Sequence, residues 1–169
     1  MRPPRRVVTG HDEHGRSVVL ADGVAPKTHA LPSATFHELW NTAAAPAPLE
    51  AVQPREPTDR PLVTPPDERG TVIRIVDLEP HSRSPMHRTE TIDYGIVLTG
   101  TVTLALDDGS ETRLDAGDVV IQRGTDHAWL NESGEHARMM FVLVDARFAP
   151  ELEALLPAER ELFDRALDV

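Results

Sequence analysis

Between Gly70 and Val144 the apolar residues fall in short, mostly alternating runs separated by polar turn clusters. TVIRIVDL, DYGIVLTG, TVTLAL, ETRL, DVVIQ, HAWLN and ARMMFVLVDA predict seven or so short strands, because alternate side chains of a strand face opposite sides. The breaks are turn-like: DDG at 107–109, DAGD at 115–118, RGTD at 123–126 and ESGE at 132–135. Strands at this spacing, with no helical run of useful length among them, predict an antiparallel sandwich or barrel.

The flanks have other textures. In residues 1–42, VVTGHDEHGRSVVL predicts two short strands around a polar turn, and the apolar spacing of TFHELWNTA predicts one helical turn. This region is expected to be an arm that packs on the main domain or on a second subunit. Residues 43–69 form a connector whose seven prolines between Ala43 and Pro66 predict an extended, irregular path. The main domain then takes residues 70–148. In 149–169, Leu152, Leu155, Leu156, Leu162, Phe163, Ala166 and Leu167 recur at helical spacing, interrupted by Pro157, and predict a short helix over one mouth or edge of the sheet.

Composition removes several functions. A chain of 169 residues holds one domain plus an arm, and a formal net charge of −11 disfavours nucleic acid. With no cysteine there is no thiolate nucleophile or ligand. Lys27 is the one lysine against sixteen arginines, and its N-terminal placement argues against Schiff-base chemistry. Neither a signal peptide nor a membrane span is read in the sequence, so a cytoplasmic protein is expected.

Candidate chemistry follows from strand parity. His87, Thr89, Thr91 and Asp93 share one face, while His127, Trp129 and Asn131 share a face on a strand forty residues later. If these faces meet inside a barrel, two imidazoles and a carboxylate converge. Trp129 is read as pocket wall or core. Arg74 in TVIRIV either points to solvent or projects inward to hold a carboxylate or phenolate, since a charge inside an apolar run needs a partner. Arg138 and Met140 are further pocket candidates, with Met139 the alternative in the other register. Tyr94 and Arg88 fall on the opposite parity and are read as packing and as a solvated or interface residue. HDEH at 11–14 is read as a solvated turn.

These residues carry a resemblance. The cupins, small jelly-roll barrels, show a first motif G-x5-H-x-H-x3,4-E-x6-G and a second G-x5-P-x-G-x2-H-x3-N. Here His87, Thr89, Asp93 and Gly100 fall on the first, with Thr89 at the second histidine and Asp93 at the glutamate. Gly117, Arg123, Gly124, His127 and Asn131 fall on the second, with Arg123 at the proline and one residue fewer before Gly124. The resemblance spans about Pro80 to Val144 and implies an all-β fold, a double-stranded β-helix (cupin jelly-roll barrel).

It also implies a small-molecule enzyme and a homodimer. His87, Asp93 and His127 are the expected catalytic set, and Arg74, Thr89, Trp129, Arg138 and Met140 the expected substrate-binding set. Two histidines and one carboxylate can hold zinc or non-haem iron; without a divalent metal they form an acid/base set in which Asp93 orients an imidazole. Lyase, dehydratase, isomerase or decarboxylase chemistry on an oxygenated metabolite is expected. The alternatives are an iron dioxygenase and a non-catalytic metabolite-binding pocket.

Overall fold

A computed structural model of the chain describes residues 1–50 and 55–157. Its strands are β1 (Arg5–His11), β2 (Ser17–Val24), β3 (Lys27–Ala30), β4 (Ala34–Thr42), β5 (Thr71–Leu78), β6 (Ser82–Arg83), β7 (Thr91–Thr99), β8 (Thr101–Leu106), β9 (Glu111–Asp115), β10 (Val119–Arg123), β11 (His127–Asn131) and β12 (Ala137–Asp145). One helical turn follows, α1 (Pro150–Glu153). All seven runs read from the alternation are strands, and the four polar breaks lie between them.

The strands form two facing antiparallel sheets and a hairpin. The larger sheet runs β10-β7-β12-β5-β4-β3, the smaller β6-β11-β8-β9, and β1 pairs with β2 alone. Alternation decides which side chains go inward: β12 buries Ala137, Met139, Phe141 and Leu143 and leaves the residues between them half-buried. These meet Val72, Val76 and Leu78 of β5, Val97 of β7, Val102 of β8 and Trp129 of β11 in one apolar core. Each such side chain contributes about 1.5–3 kcal/mol on leaving water.

The turn from β7 to β8 depends on Gly100. Its φ is 79°, and an added Cβ would lie 3.0 Å from the Cα of Ala137. Gly124, before β11, has φ 64° and sits under the Phe148 ring, 2.8 Å from where a Cβ would be. Glycine is the residue that enters this left-handed region without strain, and at both positions it also removes a clash.

Three flanking expectations are corrected. TFHELWNTA is no helical turn but β4, paired with β5 from Ala34↔Leu78 to Thr42↔Thr71. A register shift between Glu38 and Trp40 breaks its alternation, and this bulge imitates helical spacing. Lys27, outside the two N-terminal strands that were expected, opens a further one, β3, opposite Glu38. So β3 and β4 extend the barrel wall, and only the β1–β2 hairpin stands apart as an arm. The C-terminal helical spacing yields α1, which buries none of its residues, so this turn covers no mouth. The later half of that expectation, in 158–169, lies outside the described residues. No helix among the described residues is long and apolar enough to cross a membrane.

Candidate active site

The inner faces of the two sheets enclose a cavity of about 130 Å³. Phe36, Val76, Leu78, Trp129, Met139, Phe141 and Leu143 make its apolar wall, and Thr64, Arg74, His87, Thr89, Asp93 and His127 supply its polar groups.

His87 and His127 are brought together by the backbone. Each donates its amide to the other's carbonyl at 2.9 Å, an isolated antiparallel bridge at the start of β11. Their ring centroids are 4.3 Å apart, and the edge of Trp129 packs on His127 at 5.4 Å. His87 donates from Nδ1 to Pro85 O at 2.9 Å, and His127 from Nδ1 to Thr125 O at 3.0 Å. In the tautomer with the proton on Nδ1, each ring answers its backbone carbonyl and presents Nε2 as the basic nitrogen. Gln122 fixes the same turn, donating to Thr125 O at 2.6 Å with its Nε2 3.0 Å from His127 Nδ1. Burial drives both imidazoles toward the neutral form. The pKa of His127 falls to about 4, mainly by desolvation and then by the neighbouring His87, and that of His87 is also lowered by desolvation.

Asp93 enters from β7 in the next layer. It is 6% exposed, and burial raises its pKa to about 6 against the pull of Thr91 and Arg74. Arg74 projects inward from β5 and is 2% exposed. Its Nη2 donates to Glu38 Oε2 at 3.3 Å and Val63 O at 2.9 Å. Desolvation lowers its pKa to about 10, a fall that Glu38 opposes, so the guanidinium stays charged at neutral pH. Glu38, itself buried, also accepts from Arg60 Nε at 3.3 Å and Asn41 Nδ2 at 3.0 Å.

The structure thus gathers His87, Thr89, Asp93, His127, Trp129 and Arg74 around one cavity, and separates the other candidates from it. Arg138 is on the outer face, forked onto Asp77 at 2.5 and 2.7 Å and bonded to Arg2 O, so it ties down the N-terminus. Met140 shares that outer face, and Met139 takes the cavity position. Arg88 is buried instead of solvated, held by Asp126 at 2.6 Å. The expected orientation of an imidazole by Asp93 is replaced: backbone carbonyls hold both rings. Thr89 is tied to Thr91 by a 2.6 Å hydroxyl contact.

These residues do not fit a three-ligand metal site. Among the described residues no three His, Asp or Glu side chains gather where one ion would sit, and Thr89 occupies the position of a further imidazole. Glu38, Thr64 and Gln122 were not expected at the site. Gln122 was open to parity reasoning, sharing the inward face of β10 with the half-buried Val120; Thr64, in the proline-rich connector, has no periodic signal at all.

Comparison with known proteins agrees with this architecture. Residues 74–143 match the Cupin domain family. The cupin-domain-containing oxidoreductase fogC of Aspergillus ruber is 34% identical over 83% of this chain and 71% of its own length. The chain is a cupin. Phomopsin biosynthesis cluster protein C' of Diaporthe leptostromiformis is 40% identical to it, over 87% of this chain and 81% of the relative. Among solved structures, KdgF from Halomonas sp. aligns with this cupin at a TM-score of 0.49 and 14% identity, over 77% of this chain and 93% of that one.

Proposed function

We propose that this cupin is a small-molecule enzyme that moves protons on an oxygenated metabolite held in its barrel, in isomerase, dehydratase or other lyase-type chemistry. The observation that carries this reading is the His87–His127 pair: two buried, neutral imidazoles, each with Nδ1 tied to a backbone carbonyl and Nε2 basic, in contact beside an apolar wall. Neutral imidazole is the form that accepts a proton, and two bases side by side suit removal at one atom and return at another. No step here needs a divalent ion.

The test uses the purified chain with a panel of enolisable hydroxy-carbonyl compounds in deuterated buffer, following isotope incorporation by NMR with and without a chelator. Chelator-resistant exchange that His127→Ala abolishes, with the fold unchanged, is the expected result. A fully active His127→Ala chain would sink the assignment. Because four relatives bear the name cupin-domain-containing oxidoreductase, oxygen uptake is followed alongside. Uptake dependent on stoichiometric iron would replace this reading with oxidation, and tight binding without turnover would replace it with a non-catalytic pocket.

A further inference from the structure

Away from the histidines, the cavity presents polar atoms that the fold leaves unanswered. Thr64 Oγ1, Arg74 Nε and Asp93 Oδ1 are buried, have no hydrogen-bond partner among the described residues, and belong to residues lining this one cavity. Buried polar groups in folded chains are nearly always satisfied, and an orphan costs about 1–3 kcal/mol, so three beside one space point to something that fills it. The atoms differ in kind. Arg74 Nε can only donate, Asp93 Oδ1 of the ionised carboxylate can only accept, and Thr64 Oγ1 does either.

Charge narrows the choice. At this end Arg60 and Arg74 face Glu38 and Asp93, with Glu38 already accepting from both arginines and Asp67 from Arg60, so neither cation is left over for an anion. An anionic ligand would leave an uncompensated negative charge in a water-poor space, which is costly. A neutral hydroxyl meets both demands, its oxygen accepting from Arg74 or Thr64 while its hydrogen is given to Asp93. Size narrows it again, since about 130 Å³ is near the roughly 150 Å³ of an engineered cavity that admits benzene.

We infer that Thr64, Arg74 and Asp93 form a specificity pocket for a neutral, hydroxylated six-membered ring, discriminating against carboxylates and unsubstituted rings. The inference rests on the cavity being the substrate site, and adds which end of the substrate enters first: the hydroxylated ring seats between β5 and β7, and the reacting carbon lies toward His87 and His127.

Calorimetric titration at pH 8 with phenol, toluene and benzoate tests it on the intact chain. Phenol is expected to bind at least about tenfold more tightly than toluene, the worth of one hydrogen bond to a charged group, and benzoate more weakly than either. Asp93→Leu should remove the preference for phenol over toluene while leaving toluene binding in place. Thr64→Val, at a connector position that tolerates the near-isosteric change, should reduce the preference and serves if Asp93→Leu does not fold. Benzoate binding as well as phenol, or an undiminished preference in either folded variant, would overturn the inference. His127→Ala separates it from the catalytic reading: the order of preference should persist there even though turnover is lost.

Discussion

Asp93 and His127 are displaced by burial in opposite senses, and their effects on stability oppose each other over the same range of pH. Asp93 has a folded pKa of about 6 against an ordinary value of 3.8. Its favourable contribution is complete below the unfolded value and is lost as pH rises through 6. Above that the buried carboxylate costs the fold about 2–3 kcal/mol, at 1.36 kcal/mol per unit. His127, at about 4 against 6.5, does the reverse: its contribution is present above 6.5 and lost as pH falls through 4. Asp93→Asn is therefore expected to gain about 1–3 kcal/mol over the parent at pH 8 and little at pH 4, read from urea midpoints at the two values. A gain of equal size at both would show that the carboxylate is not strained by burial. His127→Ala should lower turnover by at least about a hundredfold, the scale of a lost general base, with the melting temperature within a few degrees of the parent.

Strands such as β12 were legible because burial on one face enforces alternation, and β5, β8 and β11 match their apolar runs residue for residue. β4 was not, since one extra residue at Leu39 erased the period. Site residues on strands inherited that legibility: Asp93 of β7 and His127 of β11 line the cavity, as does His87 from an isolated bridge ahead of β7. Thr64 did not, because a connector has no period to read, and Glu38 was hidden by the bulge beside it. Arg138 and Met140 were misplaced by one register position, the smallest error that moves a side chain to the other face. Gly100 is the element junction most sensitive to change. Gly100→Ala forces a side chain into the left-handed region and against the Ala137 backbone, with an expected loss of about 1–3 kcal/mol in chemical denaturation. An unchanged midpoint would show that the β7–β8 turn relaxes freely.

For the whole molecule, the outer face of the larger sheet carries exposed Tyr94, Leu98, Val119 and Ile121, and the β1–β2 hairpin exposes Val7, Val19, Leu20 and Val24. A two-stranded hairpin is marginal by itself in water, so these two apolar surfaces on one chain fit a homodimer in which each arm lies on its partner. Sedimentation is expected to give about twice the chain mass, and Ile121→Glu should shift it toward the monomer; a parent that sediments as a monomer would remove the dimer. The bridge between His87 and His127 has a bearing on motion. Each residue's amide donates to the other's carbonyl, so the two are expected to exchange with deuterated solvent at one shared rate. That rate counts how often the bridge parts while the sheets stay closed. A ligand seated against both rings would slow the two amides together, giving a clock for occupancy that needs no turnover and no label.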